Sequence, residues 1–376
     1  MTMNPNQPKK ILLMGHGDGY GGAQTAFREL YTFIRQEGHT VKVISLTDHF
    51  KQELPFNDEV LLGRIAHQGP AFNLRVKKTL GATQAGLAGR RFRPDIFVSV
   101  GLNNSANVVA RLIGNQCFKI GQDFIADRSG VDSIWRASRA ILNGVGVQAP
   151  SMLEPWQTAE SKLTGINWLP CFPEPPVSGI LHIKRVAPTK EIKLAYFGRL
   201  AGNKGLSLLV RAFAMSGVSD NVTLDLWGQG VEEKPLRKLV AELGLEAHVQ
   251  FLGRYPSDEA GAKLMISYDA LVLCSTEMEG LPLILLEAMA YGLPFMATNV
   301  GAIRDCCLNN PDTVFVQPTQ DAITQGLHLL IQRIKSDNFD AGRLQQFYEK
   351  TFSYKVMAAR WRLCFQDPNR FFYESA

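Results

Sequence analysis

The sequence predicts an α/β protein built from two doubly wound domains, and three observations carry that reading. Short, apolar, β-rich runs alternate with helical patterns through the first half of the chain, a proline-dense stretch interrupts them, and the alternation then starts again. "KKILLMG" and "HTVKVISL" read as strands separated by "AQTAFRELYTFIRQEG", whose apolar residues recur at helical spacing and which ends at Gly38. That is a βαβ unit, and "DIFVSVG", "FKIGQDF" and "GVGVQA" continue it into a parallel sheet covered by helices on both faces.

Pro170, Pro173, Pro175 and Pro176 crowd "LPCFPEPPVSG", which neither a helix interior nor a central strand tolerates. Beyond it, "IKLAYFG" leads through a polar loop to the helix "LSLLVRAFAMSG", "VTLDLWGQG" leads to "EEKPLRKLVAELG", and "VQFLG" and "ALVLCS" follow. The expected boundaries are 1–172 for the first domain, 173–190 for the linker, 191–355 for the second domain and 356–376 for a closing helix. Two such sheets, facing each other, are expected to hold ligands in a cleft at their carboxyl ends.

The chain has 376 residues, 45% apolar and 20% charged, enough to bury two ordinary cores. No apolar run approaches the roughly 18 residues that span a bilayer, and "MTMNPNQPKK" lacks a signal-type apolar segment, so a cytoplasmic protein is expected. The six cysteines, Cys117, Cys171, Cys274, Cys306, Cys307 and Cys364, form no C-x-x-C and read as structural thiols. The formal charge of +5 is uneven: Arg75, Lys77, Lys78, Arg90, Arg91 and Arg93 fall in one segment without an acid. That segment reads either as a solvated helix face or as a surface for anionic lipid or an anionic acceptor. Nucleic acid finds no recognition motif here.

"GHGDGYGGAQTAF" contains G-x-G-x-x-G at Gly17, Gly19 and Gly22, which raises an NAD-dependent oxidoreductase with Asp48 as the ribose acid. A dinucleotide turn puts its first glycine directly after the strand, whereas "ILLM" ends at Met14 and leaves Gly15 and His16 as extra loop. The register argues against NAD.

The most informative segment is "STEMEGLPLILLEAMAYGLPFMATNVGA". Gly280 and Pro282 start a helix that runs to Gly292, so the amides of Leu283 and Ile284 lie among the unpaired N–H groups of its first turn. Those amides and the macrodipole favour a phosphate. Glu279 before the helix and Glu287, about 7.5 Å beyond Pro282 at 1.5 Å per residue, suit hydroxyls on either side of that phosphate. Glu287 lies inside an apolar helix, where a carboxylate without a partner is costly. A second loop, "GRLAGNKG", brings Arg199 and Lys204 to the top of a strand among Gly198, Gly202 and Gly205, enough charge to neutralise a diphosphate.

"FGRLAGNKG", "LWGQG", "VQFLG" and "EGLPLILLEAMAYGLP", with Glu279 and Glu287 in an E-x7-E element, resemble the retaining GT-B fold glycosyltransferases of family four, also called glycosyl transferases group one. The resemblance implies an N-terminal acceptor domain, a C-terminal nucleotide-sugar donor domain and a last helix that crosses back to the N-domain. It implies that Arg199 and Lys204 bind the donor diphosphate and stabilise the leaving nucleotide, that Glu287 holds the ribose, and that Glu279 meets donor-sugar hydroxyls. Gly280, Leu281, Pro282, Leu283, Gly198 and Gly228 would lie against the nucleotide sugar, while Gly21 and Gly22, with His16 beside them, would form the acceptor and phosphate loop. No metal and no bound cofactor is implied, since the cations and the helix end fill that role. The family usually carries a histidine after a middle N-domain strand; this chain has Gln122 and Asp123 there, which makes Asp123 the candidate for a sugar hydroxyl or the oxocarbenium-like charge. Asn103 and Asn104, after "SVGL", are candidates for the acceptor side.

Three functions are therefore expected in order. The first is a retaining transferase that moves a hexose or related sugar from a nucleotide-diphosphate donor, UDP favoured, to an acceptor hydroxyl, in surface polysaccharide or lipopolysaccharide assembly at the inner face of a membrane. The second is the NAD-dependent oxidoreductase, and the third a non-catalytic nucleotide-sugar or glycan-binding protein.

Overall fold

The computed structural model describes residues 7–15, 22–45, 72–124, 133–158, 165–173, 176–177, 191–218, 221–277 and 279–374. The chain divides into two units, 1–173 with 357–376, and 174–356. Of the expected linker only Pro173, Pro176 and Val177 are among the described residues.

The first unit is a six-stranded, wholly parallel sheet in the order β2-β1-β3-β4-β5-β6. Its strands are β1 (Lys10–Met14), β2 (Thr40–Ile44), β3 (Ile96–Val100), β4 (Phe118–Asp123), β5 (Gly144–Val147) and β6 (Gly165–Trp168). The helices between them are α1 (Gly22–Gln36), α2 (Phe72–Phe92), α3 (Asn104–Leu112), α4 (Ser133–Arg139) and α5 (Leu153–Thr158). All residues of β3 are buried, because a parallel sheet with helices on both faces gives neither side of a strand to water. α1 turns Phe27, Leu30, Phe33 and Ile34 into the core, as its 3.6-residue apolar spacing requires.

Two expectations change here. Asn103 caps α3, its Oδ1 accepting the Ala106 N–H at 2.8 Å, so this side chain serves the helix end rather than an open surface. The strand "GINW", β6, escaped sequence reading because a four-residue run with Asn in it carries little periodicity. The basic segment is helical over α2, and Lys78, Arg90, Arg91 and the adjoining Arg93 are exposed alongside Leu80 and Leu87. All six cysteines are buried free thiols; burial pushes Cys117, Cys171, Cys274 and Cys307 up to about 12.

From Met357 onward the last two helices, α13 (Tyr354–Gln366) and α14 (Pro368–Tyr373), belong to the first unit. Trp361, fully buried, donates its indole N–H to the Pro170 carbonyl at 2.8 Å. Arg360 lies over the rings of Trp168 and Phe371 and donates to the Trp168 carbonyl and to Asn167 Oδ1. Arg362 makes a two-pronged pair with Glu37, at 2.8 Å on each arm, which holds that carboxyl below its ordinary range. Aromatic residues that could read as a membrane anchor are thus spent on core packing.

The second unit repeats the plan as β12-β11-β10-β7-β8-β9, again wholly parallel. Its strands are β7 (Ile192–Phe197), β8 (Val222–Trp227), β9 (Val249–Gly253), β10 (Ala270–Leu273), β11 (Phe295–Thr298) and β12 (Thr313–Val316). α6 (Leu206–Ser216), α7 (Glu233–Glu242), α8 (Asp258–Met265), α9 (Leu283–Ala290), α10 (Ile303–Cys307), α11 (Gln320–Lys335) and α12 (Ala341–Thr351) complete it. The strand order reverses between β7 and β10, and the loops leaving those two strands diverge at a switch point of the kind that binds ligands in open α/β sheets.

Replacing Trp361 by Ala removes a fully buried ring and leaves the Pro170 carbonyl without its donor. Urea unfolding of the first unit should show a loss of about 3–5 kcal/mol; a loss below about 1 kcal/mol would mean that the helix end is not part of this core.

Candidate functional site

At the β7/β10 switch point the loop 198–205 meets the loop 274–282. Thr276 N–H donates to the Asn203 carbonyl at 2.9 Å, which joins the two main chains. Gly205 has φ +63, and a Cβ there would stand 2.0 Å from the Cys274 carbonyl oxygen, so only glycine permits this approach. The loops after β7 and β8 are zipped in the same way: Gly198 N–H reaches the Trp227 carbonyl and Leu200 N–H that of Gln229. Gly228, at φ +140, would put a Cβ 1.7 Å from the Gly198 carbonyl oxygen. Gly228 therefore lets bare backbone meet backbone beside the switch point, while a Cβ on Gly198 would stand 2.7 Å from Tyr196 Oη.

The central feature is an ion pair. Lys204 Nζ lies 2.7 Å from Oε1 and 2.6 Å from Oε2 of Glu279, with the two side chains 15% and 12% exposed. Ser275 Oγ donates to Oε2 at 2.6 Å. The Ala302 N–H holds the Glu279 carbonyl, and Thr298 Oγ1 donates to the Ser275 carbonyl at 2.6 Å. Arg199, on the same loop as Lys204, is exposed, and its carbonyl accepts from Tyr196 Oη at 2.7 Å. Burial above all, with Glu279 nearby, pushes the Tyr196 phenol well above its usual range, so it stays a neutral donor.

α9 begins beside this pair. Pro282 stands at its N-cap, with φ −78 and ψ 109, rather than inside its first turn, and no side chain caps the helix. Leu283 and Ile284 are its first two residues, and their amides are of the kind that lack an intrahelical partner. Leu283, Ile284, Glu287 and Ala290 form its half-exposed stripe, while Leu285, Leu286, Ala288 and Met289 are buried. Glu287 thus shares a face with the helix start, and the cost of burying its carboxylate is not what marks it; the helix reads as apolar in sequence, but that side of it is half open.

The structure brings Arg199, Lys204, Glu279, Gly280, Leu281, Pro282, Leu283, Gly198 and Gly228 to the carboxyl edge of one sheet. It joins Lys204 to Glu279, two residues to which sequence reading gave separate partners. Asp123 belongs to the first unit, where it ends β4 at 1% exposure and accepts the Trp156 indole N–H at 2.8 Å. Its neighbour Gln122, equally buried, donates toward Leu169 O and Cys171 Sγ. Gly22 is the exposed first residue of α1, while His16, Gly17, Gly19, Gly21 and Asp48 lie outside the described residues. Sequence reading singled out none of Ser275, Thr298, Ala302 and Tyr196, although the first three lie in the segment 275–302; none carries a charge, and only their contacts mark them. Among the described residues no three His, Cys, Asp or Glu side chains converge as a metal-ligand group, and no helix is long and apolar enough to cross a membrane.

Residues 180–340, which contain the whole constellation, match the family described as glycosyl transferases group 1. That stretch is less than half of the chain, and the chain is similar to the family over the second unit alone. It is 32% identical over 153 residues to N-acetyl-alpha-D-glucosaminyl L-malate synthase of Bacillus anthracis, a stretch that is 40% of this chain and 39% of that protein. The curated relatives it matches are covered over less than two fifths of their length in the first three cases. Sucrose-phosphate synthase from Thermosynechococcus elongatus superposes with a TM-score of 0.78, at 17% identity, over 96% of this chain and 99% of that one. The pneumococcal O-GlcNAc transferase GtfA, solved in complex with UDP and GlcNAc, gives 0.75 at 14% identity over 96% and 99%. At such identities the likeness speaks to the fold, which is GT-B: two parallel, helix-flanked α/β domains.

The ion pair makes its own prediction. Lys204→Met leaves a carboxylate that is nearly nine-tenths enclosed without its counter-charge, and should lower stability by about 3 kcal/mol. Lys204→Met combined with Glu279→Leu should recover most of that loss in urea melts. Equal and additive losses would deny the coupling.

Proposed function

We propose that this chain is a group 1 glycosyltransferase of retaining type, which moves a sugar from a nucleoside-diphosphate sugar, a UDP-sugar in the first instance, to an acceptor hydroxyl with formation of an α-glycosidic bond. One observation carries the reading: Arg199, the Lys204–Glu279 pair and the uncapped start of α9 share a switch point in the domain that matches the family. Each group has a task that its chemistry fits. The Arg199 fork pairs with phosphate oxygens on two N–H arms, and the Leu283 and Ile284 amides donate to the same anion at the positive end of the helix dipole. Lys204 spends two of its three N–H donors on Glu279 and keeps one for a phosphate. Glu287, one turn into α9 on the open stripe, accepts from ribose hydroxyls, and Glu279 accepts from the sugar.

The reaction needs negative charge stabilised on the departing diphosphate as the bond from anomeric carbon to phosphate oxygen breaks. Arg199, Lys204 and the α9 amides supply that stabilisation from one edge of the sheet. The departing phosphate oxygen takes the acceptor proton as the new bond forms on the same face, so the protein supplies positions and charge rather than a general base. The neighbour solved with UDP and GlcNAc supports UDP as the first nucleotide to try.

Thermal melts with UDP, GDP, ADP and NAD test the nucleotide directly. A nucleoside diphosphate at about a hundred times its Kd adds about 2.7 kcal/mol to the native state, and UDP is expected to raise the melting temperature most; a rise with NAD alone would overturn the proposal. Arg199→Ala should lower donor turnover about 100-fold with circular dichroism unchanged, and Glu287→Ala should weaken nucleotide binding. Equal, negligible turnover in wild type and variants across donors favours a binding protein.

The acid-free helix α2 favours an anionic lipid surface, the cytoplasmic leaflet, as the place where the acceptor is met: Lys78, Arg90 and Arg91 are exposed with Leu80 and Leu87, a pairing of cationic and apolar groups that suits head groups and the acyl boundary. Flotation with vesicles holding phosphatidylglycerol should carry the protein upward, and Arg90→Glu with Arg91→Glu should abolish that. Flotation equal on phosphatidylcholine alone, or unchanged in the variant, removes the membrane from the reading.

A further inference from the structure

Glu279 is enclosed by more than its lysine. Its carboxylate has two oxygens with two lone pairs each. Oε2 accepts from both Lys204 Nζ and Ser275 Oγ, at 2.6 Å each, and is full. Oε1 accepts from Lys204 Nζ at 2.7 Å and, among the described residues, from nothing else, which leaves one lone pair open. Ser275 is itself fully buried, and its carbonyl is pinned by the buried Thr298 hydroxyl. Its neighbour Thr276 is tied to Asn203, one residue before Lys204. The serine hydroxyl therefore has a fixed origin and one use.

Lys204 alone, a flexible four-carbon stem with a point charge, would let the carboxylate swivel about its long axis and offer either oxygen. A second donor on one oxygen removes that freedom. We propose that Ser275 is a positioning residue: its hydroxyl locks Oε2 of Glu279 so that the carboxylate presents a single open acceptor, on Oε1, to one hydroxyl of the donor sugar. This rests on the proposed reading that Glu279 meets the sugar, and it adds to that reading both the residue that sets the carboxylate's orientation and the number of hydroxyls it accepts.

The test separates sugar from nucleotide. The probe is whichever of UDP-glucose, UDP-N-acetylglucosamine and GDP-mannose the wild type binds most tightly relative to its bare nucleoside diphosphate, with both affinities measured by calorimetry. Ser275→Ala should weaken the nucleotide sugar about tenfold, as expected for loss of one hydrogen bond to a charged group, while the bare diphosphate changes less than about twofold on the same scale. Ser275→Cys, a weaker donor of similar shape, should fall between, and melting curves check that both variants fold. Adding Ser275→Ala to Glu279→Gln should cost nothing further, because the serine acts only through that carboxylate. Equal weakening of sugar and bare diphosphate, or full additivity with Glu279→Gln, would reduce Ser275 to a packing residue and overturn the proposal. A silent Ser275→Ala beside a damaging Glu279→Gln overturns the positioning role and leaves the site reading standing. Silence in both overturns the two together.

Discussion

Lys204 and Glu279 come from loops 75 residues apart, and the carboxyl edge of the second sheet is arranged around keeping their charges together. Neither group could be withdrawn from water so far without the other, because an enclosed ion without a partner costs several kcal/mol. The pair in turn requires both main chains to approach closely. Gly205 has no side chain because the Cys274 carbonyl occupies the space where one would be, and the Thr276 to Asn203 hydrogen bond closes the same contact from the other side. Ser275 and Thr298 then fix the carboxylate from beneath.

That arrangement follows from the winding of the sheet. In the order β12-β11-β10-β7-β8-β9, β7 and β10 are neighbours whose following loops turn to opposite faces, so a gap opens above them. One loop brings Arg199 and Lys204, and the other brings Glu279 and the start of α9. The cations come without acids on their own loop, and the acids come with a helix whose first amides are unpaired. Under the proposed function, an anion held between them meets compensating charge, while hydroxyls on either side of it meet carboxylates.

The first unit is built by the same winding, with β1 between β2 and β3, and four of its described polar residues near the carboxyl ends make hydrogen bonds inside the unit. Asp123 receives the Trp156 indole, Gln122 and Gln148 both turn amides to Cys171, and Asn103 caps α3. These are residue types that a sequence nominates for chemistry, and the fold spends them on its own hydrogen bonds, because a buried polar group without a partner costs more than a typical hydrogen bond returns.

Much of this was legible beforehand. Alternating β-rich runs and helical periods fixed both parallel sheets, since strands buried on two faces must be continuously apolar and their crossovers must be helices. The family resemblance and the glycines nominated Arg199, Lys204, Glu279, Glu287 and the start of α9, because a turn, a charge and a helix start leave local marks. β6 left none, being short and half polar. Which side chains pair was not written locally either: the sequence assigns Lys204 to a phosphate and Glu279 to a sugar, and only the closeness of two loops joins them. Ser275 is an ordinary serine until the Glu279 carboxylate is placed 2.6 Å from its hydroxyl. Sequence by itself determined most of the elements and the charged candidates, since periodicity and turn chemistry act over a few residues. Tertiary structure alone decided the partners, because hydrogen bonds and ion pairs depend on distances that the winding of the chain sets.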